Sequence, residues 1–298
     1  MEKVLGIDIG GTNVKFGVVD NNGILTNKAK YPTADMVLDG KFIDNFISAL
    51  KTELKKSPEI VKIGIGVPGL ISKNRQSVVT APNIEQLSGV DLIKILKSKI
   101  KGKSFALDND ANAAAYGEFI FNRAEVGDNF MMITLGTGVG GGAVIDGKLF
   151  GGGVGNAMEI GHIYGGKGRS IEEEIGKIGI VKKAKKILKK IPKSILNVKS
   201  LDAKKIAKAA LEKDEVALKV FEHVGKYLGQ CIVSGIRILD LHTVIIGGGV
   251  SETFAIIEPS MRNVIEEKLG AYYTSDLKIC KASLGNDAGI LGAAALMF

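Results

Sequence analysis

The stretch Leu5-Gly6-Ile7-Asp8-Ile9-Gly10-Gly11-Thr12-Asn13 decides how the rest of the chain is read. Its apolar run has the look of a buried strand, and Asp8 ends it. That is an expensive place for a carboxylate unless a cation or a donor meets it. Gly10 and Gly11 leave backbone N–H groups uncovered by any Cβ, which suits phosphate oxygens, while Thr12 and Asn13 add side-chain donors. On turn chemistry alone, a plain hairpin with a capping Asp is the competing reading.

Working outward, residues 3–8, 14–20 and 24–30 read as three short strands, with Asn21-Asn22-Gly23 as the second turn. The pattern has an echo. Gly10, Gly17, Val18, Val19 and Asp20 line up with Gly136, Ala143, Val144, Ile145 and Asp146, each 126 positions later. The second copy contains Thr134-Leu135-Gly136-Thr137-Gly138-Val139-Gly140-Gly141-Gly142. Gly136, Gly138 and Gly141 match the G-x-G-x-x-G spacing of a dinucleotide site, but that motif must open a helix. Here Ala143 to Lys148 reads as a strand running into a turn, so a phosphate-gripping hairpin fits better. Repeated halves predict two similar lobes, each opening with a β-hairpin aimed at a shared cleft.

Between and after the hairpins the pattern alternates strand and helix. Helical spacing of Phe42, Phe46, Ile47, Leu50 and Leu54 marks 41–56, a strand follows at 61–67, a helix at 91–100 and a strand at 104–108. An Ala-rich helix covers about 111–123, with strands at 130–135 and 142–146. A long helix at 214–239, a strand at 243–246, a helix at 255–269, a strand near 277–281 and a helix at 287–297 close the chain.

Three further motifs carry polar groups. Asp108-Asn109-Asp110-Ala111-Asn112 sits where a strand hands over to a helix, which suits either a ligand-facing carboxylate or ordinary helix capping. Glu159-Ile160-Gly161-His162, with Glu172 beyond it, makes a plausible polyol-binding cluster; one His and no nearby Cys argue against a metal. Val244 to Ser251 runs from a strand through Gly247, Gly248 and Gly249 into a helix start, suited to the base and ribose of a nucleotide. Tight turns between core elements would read the same way for the last two.

The 298 residues suffice for two lobes with their own cores. Gly is the compositional anomaly: many of its 39 copies sit in short clusters, as backbone pressed against a ligand requires. Cys231 and Cys280 are single and far apart, which excludes a disulfide framework and points to a reducing cytoplasm. No apolar run reaches the roughly 20 residues of a membrane-spanning helix, and no cleavable leader is apparent. The net charge of +8 is concentrated in 177–208, where Lys182, Lys183, Lys185, Lys186, Lys189 and Lys190 face one acid, Asp202. A polyanion could use this segment. Val181, Ala184, Ile187, Leu188 and Ile191 recur between the lysines at helical spacing, and the segment is read as a solvated amphipathic helix face.

Taken together, the sequence resembles the ROK family of sugar kinases and repressors, within the actin-like ATPase superfamily. The resemblance covers nearly the whole chain through DIGGTN at 8–13, GIGVPG at 64–69, APN at 81–83, NDAN at 109–112, GTGVGGG at 136–142, EIGH at 159–162, IIGGGVS at 245–251 and GNDAGILGAA at 285–294. It implies an α/β, two-lobed actin-like ATPase (ribonuclease H-like) fold with the active site in the interlobe cleft. The small lobe would cover 1–115, with the helix 284–298 packing back on it, and the large lobe 116–283. The resemblance further implies ATP and Mg²⁺ as cofactors and Asp110 as catalytic base. Asn83, Asn109, Glu159, His162 and Glu172 would bind the sugar. Asp8, Gly10, Gly11, Thr12, Asn13, Lys15, Gly136, Thr137 and Gly138 would meet the phosphates, and Gly247, Gly248 and Gly249 the adenosine, with Asp8 on Mg²⁺ through water.

One departure stands out. Many members follow EIGH with a cysteine-rich zinc loop, whereas residues 163–172 here hold no cysteine, so no zinc site is expected. Glu172 is carried over only by its place in Ser-Ile-Glu. Some members lacking the loop also use polyphosphate. The family's repressors carry an added helix-turn-helix before the first hairpin, and its absence here points away from nucleic acid. The expectation is therefore a cytoplasmic, homodimeric ATP hexokinase, most simply for glucose. A polyphosphate-using gluco/mannokinase, a fructokinase, an N-acetylhexosamine kinase and a non-catalytic sugar-sensing regulator are the alternatives.

Overall fold

The computed structural model describes residues 2–191 and 193–298. In chain order its first half comprises β1 (Lys3–Ile9), β2 (Asn13–Asp20), β3 (Leu25–Pro32), α1 (Thr33–Met36), α2 (Phe42–Lys56), β4 (Lys62–Val67), β5 (Leu70–Ile71), β6 (Val78–Thr80), α3 (Leu92–Lys99), β7 (Ser104–Asn109) and α4 (Asp110–Val126). The rest comprises β8 (Phe130–Leu135), β9 (Val139–Ile145), β10 (Lys148–Leu149), β11 (Tyr164–Gly166), β12 (Arg169–Ser170), α5 (Ile171–Ile175), α6 (Lys177–Leu188), α7 (Ala203–Leu211), α8 (Glu215–Leu239), β13 (Thr243–Gly247), α9 (Phe254–Lys268), α10 (Ala271–Thr274), β14 (Lys278–Lys281) and α11 (Ala288–Ala295).

Two five-stranded sheets repeat one topology: β3-β2-β1-β4-β7 and β10-β9-β8-β13-β14. In each, the second and third strands in chain order are laid antiparallel outside the first, and two later strands join it in parallel. The echo in the sequence is therefore an echo of architecture.

The chain divides into two compact units. The first holds residues up to Asp128, Gly142–Ala157 and Ser283–Phe298; the second holds Asn129–Gly141 and Met158–Ala282. The boundary expected at 115/116 falls inside α4, which the first unit keeps whole.

In the first unit, registered residues of parallel strands point to one side of the sheet. Ile7, Ile65 and Leu107 are in register and bury against Phe42 and Phe46 of α2 and Leu92, Ile93 and Leu96 of α3. A buried Leu, Ile or Phe side chain contributes about 1.5–3 kcal/mol, so this face anchors the unit. The other face is stripped down to Gly6, Gly64 and Ala106. There α11 lies directly on the sheet backbone, and a Cβ on Gly64 would sit 1.7 Å from the Ala293 carbonyl oxygen. The fully buried Glu118 of α4 secures the lead-in to α11: its carboxylate accepts from Ser283 N at 2.7 Å, Leu284 N at 3.0 Å and Ser283 Oγ at 2.7 Å.

In the second unit, β8, β13 and β14 run parallel, with Met132 opposite Ile245 and Ile245 opposite Cys280. Val220, Phe221, Val224, Leu228 and Ile232 of α8 are buried with Ile257, Met261 and Ile265 of α9. In the lysine-rich segment the helical spacing runs past the helix that it marks. α6 ends at Leu188, so Ile191 lies beyond it, and a second helix, α7, begins only at Ala203. Ala184 and Leu188 bury as the spacing predicts. Among the described residues, no helix is long and apolar enough to cross a membrane.

Candidate active site

The carboxyl ends of the parallel strands β1, β4 and β7 gather the polar residues of the first unit. Asp8 is in register with Gly66, and Gly66 with Asp108. Strand ends of this kind in open α/β sheets are where ligands bind. The Asp8 side chain is only 15% exposed, and Lys15, its register partner on β2, supplies the cation at 2.8 Å. Bare backbone at Gly289 makes room for this carboxylate, since a Cβ there would come within 2.5 Å of it.

The tip beyond Asp8 closes through Gly10 N donating to Asn13 O at 3.0 Å. Buried Thr33 ties it down: its Oγ1 donates to Gly10 O at 2.5 Å and its N to Thr12 O at 3.0 Å. Gly11 and Thr12 are left exposed. Asn83, also exposed, lies beside the tip, its Cβ 3.2 Å from where a Gly11 Cβ would be.

Where β7 becomes α4, three consecutive residues do different work. Asp108 is buried and accepts from Asn109 N at 2.7 Å and Asn112 Nδ2 at 3.0 Å, with Arg75 Nε at 3.1 Å. Burial pushes its carboxyl above the ordinary range, against the lowering effect of Arg75, Asn112 and Asn109. Arg75 in turn donates from Nη1 to Gly155 O at 2.6 Å. Asn109 is the N-cap of α4: its Oδ1 accepts from Ala111 N at 2.8 Å and Asn112 N at 3.2 Å, and its Nδ2 donates to Gly69 O at 2.9 Å. The capping reading of this Asn is thus the observed one. Asp110 opens the helix and is half-buried.

The tip of the other hairpin, β8–β9, lies in the second unit. It closes through Gly136 N donating to Gly138 O at 3.0 Å, and Gly136 and Thr137 are exposed. Its ties differ from those of the first. Glu172 Oε2 accepts from Val139 N at 2.8 Å, and Lys177 N donates to Thr137 O at 3.1 Å. Gly138 must be glycine for this, because a Cβ would fall 2.1 Å from Glu172 Oε2. β9 also begins at Val139, three residues earlier than the sequence pattern predicts.

Glu159 and His162 bracket a short 3-10 turn, with His162 Nε2 3.8 Å from Glu159 Oε2 and side-chain exposures of 66% and 39% for the His and the Glu. Burial, and then the nearby Glu172 carboxylate, hold Glu159 above the ordinary carboxylate range, while His162 acts in the opposite sense. The structure therefore brings the Glu159, His162 and Glu172 cluster together. Met158 before it is left-handed at φ 67°, a conformation uncommon for a long side chain. Gly247 ends β13 buried, while Gly248, at φ 82°, and Gly249 are exposed at the start of the following 3-10 turn.

Thr33 and Arg75 are not singled out by the sequence, and Asn112 is quoted there only as part of its motif, with no role of its own. Thr33 and Arg75 act on partners more than twenty residues away in the chain, which no local spacing reveals. Among the described residues no group of three His, Cys, Asp or Glu side chains could hold a metal ion.

The family model described as "ROK family" matches residues 4–298. A glucokinase of Streptomyces coelicolor is 31% identical over 318 aligned positions, covering 99% of this chain and 98% of that protein. The crystal structure of a ROK family glucokinase from Streptomyces griseus in complex with glucose and AMPPNP superposes with a TM-score of 0.84 at 29% identity, covering 99% of both chains. The xylose repressor of Bacillus subtilis is 28% identical over 305 positions, covering 98% of this chain and 76% of the repressor. The α/β fold expected from the resemblance, that of the actin-like ATPases, is the one observed. With that topology and a family match along nearly its whole length, the chain belongs to the ROK family.

Proposed function

We propose that this protein transfers the γ-phosphoryl group of ATP to a hydroxyl of a hexose, glucose being the first candidate, with Asp110 as the base. The observation that carries the reading is the placement of Asp110: a carboxylate at the first turn of α4, one residue past the end of β7, held there by the Asn109 cap. The two glucokinase relatives support the sugar.

Phosphoryl transfer asks the protein mainly for positioning and charge stabilisation. Asp110 takes the proton of the attacking hydroxyl, a role worth typically about 10²–10⁴-fold. Asn83, Asn109, Glu159, His162 and Glu172 orient the hexose through its hydroxyls. In Asn109 only the part of the amide not used in capping is left for this. The N–H groups of Gly11 and Thr12, and of Thr137 and Gly138, donate to phosphate oxygens, while Gly10 and Gly136, whose own N–H groups close the two tips, let the phosphates approach the backbone, with Asn13 and Lys15 beside them. Gly247, Gly248 and Gly249 let the adenosine lie against backbone.

Asp8 is the residue that would hold Mg²⁺. A lone carboxylate already paired with Lys15 fits a hard cation that keeps most of its waters and rides on nucleotide phosphates. When bound, the ion neutralises charge on the transferred group. We further infer a homodimer in the cytoplasm, which sedimentation of the purified protein tests for the assembly.

The experiment is coupled detection of ADP release over a panel of hexoses. Turnover with glucose above the other hexoses, abolished by EDTA and restored by Mg²⁺, is the expected result. The repressor relative supports a second reading, a regulator that binds sugar without turning it over. Saturable glucose binding with no ADP release on any hexose would establish that reading in place of the first. Phosphorylation driven by polyphosphate but not by ATP would correct the donor.

A further inference from the structure

The lysine-rich segment is not a uniform solvated face. In the second unit, Lys167, Arg169, Lys182, Lys183, Lys186 and His223 line a cavity of about 150 Å³. Its acids are already engaged. Glu174 takes Arg169 Nη1 at 3.0 Å on one oxygen and His223 Nε2 at 3.2 Å on the other. Glu173 closes the capping box of α5, accepting from Ser170 N at 2.8 Å.

His223 adds no charge to offset or join the lysines. Lys183 Nζ lies 3.1 Å from His223 Nδ1, so that nitrogen is the acceptor and Nε2 carries the proton toward Glu174. Burial, and then the Lys183 charge, hold the imidazole well below its ordinary range and keep it neutral near pH 7. Lys183, half-buried, is itself held below the ordinary lysine range, first by burial and then by the charge of Lys186. Among the described residues, Lys167, Lys182, Lys183 and Lys186 form no salt bridge, whereas Lys226 and Lys219 of α8 are paired with Glu222 and Glu215. Four ammonium groups thus line one solvent-open cavity, three of them on exposed residues, and none is held in a salt bridge.

We propose that this cavity binds the phosphoryl group of a small phosphorylated molecule through Lys167, Lys182, Lys183 and Lys186. Its chemistry selects a compact, multiply charged anion, since lysine serves phosphate as a point charge. Its size agrees: about 150 Å³ is room for a phosphoryl head. Glu174 is two residues from Glu172, so the site shares α5 with the tie on the second hairpin. The inference stands apart from the kinase reading and does not require it.

Inorganic phosphate and a hexose 6-phosphate, each titrated at constant ionic strength made up with sodium chloride, test the site on the full chain. The chain has 3 histidines, so the ring ¹⁵N signals of His223 are assignable through His223→Gln. A saturable shift of the His223 signals is expected with one or both ligands. Tighter half-saturation by the hexose 6-phosphate assigns the site to a phosphomonoester, and the reverse order assigns it to free phosphate. In the double variant Lys182→Gln, Lys186→Gln, which keeps the Lys183–His223 contact, half-saturation should move about tenfold higher, from about threefold per lost ammonium. The proposal is overturned by His223 signals that ignore both ligands, or by an identical titration in the double variant whose unliganded spectrum matches wild type. A response to long-chain polyphosphate alone also overturns it, in favour of an open polyanion track.

Discussion

The two hairpins are copies in topology, yet charge is built into only one of them. In the first, Asp8 and Lys15 face each other across the strands at 2.8 Å. The equivalent positions in the second, 126 residues later, are Thr134 and Gly141, and no carboxylate lies within that hairpin's tip. The ties reverse the pattern. A neutral hydroxyl, Thr33, holds the first tip, and a carboxylate, Glu172, holds the second. Duplicated topology therefore supplies a glycine-rich tip twice, each closed by its own backbone bond, while side chains have divided the labour: a cation-compatible carboxylate on one side, a charge-assisted brace on the other. Neither hairpin contains a base, which in our reading comes from α4.

That division breaks if the base is not the most expensive part to remove. Asp110→Asn keeps the hydrogen-bonding shape and the helix start but cannot take a proton. We expect kcat to fall by on the order of 10²-fold or more with sugar binding nearly unchanged. Steady-state kinetics with glucose and ATP check it; a variant with wild-type kcat removes Asp110 from the chemistry.

The next effect separates the two ties. A hydrogen bond to a charged group contributes roughly 1.5–3 kcal/mol and a neutral one roughly 0.5–1.5 kcal/mol. Glu172→Gln should therefore lower kcat/KM for ATP about tenfold, and Thr33→Val about threefold, the backbone bond of Thr33 surviving in the latter. If the hexose contact we propose for Glu172 outweighs its brace on the hairpin, its substitution raises the KM for the hexose and leaves the ATP side alone. The two outcomes are read from one set of initial-rate measurements.

Much of this arrangement is legible in the sequence, and the illegible parts share a cause. β8 has the bounds the apolar pattern predicts, Phe130–Leu135, because its residues bury as a run. β9 starts three residues early because glycines have low strand propensity and conceal a strand whose hydrogen bonds are set by its neighbours. The Asp108-Asn109-Asp110 motif announces polar work at a strand–helix junction. Which residue caps and which is buried depends on Arg75 and Gly69, both distant in sequence. Likewise the spacing of Ala184 and Leu188 marks the buried side of α6, but Lys183 turns inward to a histidine 40 residues away.

The smallest effect concerns Glu159 and couples it to the second tie. Burial first, and the Glu172 charge in addition, raise its pKa in the folded protein above the ordinary 4.5. Between 4.5 and that raised value the native protein keeps a proton that the unfolded chain has released. Stability must then fall as pH rises through this window, and the ionised carboxylate costs stability at every pH above it. Glu159→Gln removes the titration. The unfolding free energy of wild type minus that of Glu159→Gln, from urea denaturation at steps between about pH 4 and 7, should decline across the window and then level off. Because the side chain is 39% exposed, solvent screens the interaction and the decline is shallow. In a Glu172→Gln background the repelling charge is gone, so the window should retreat toward 4.5. A difference curve that rises with pH, or a window that Glu172→Gln moves upward, would separate Glu159 from the second hairpin's brace.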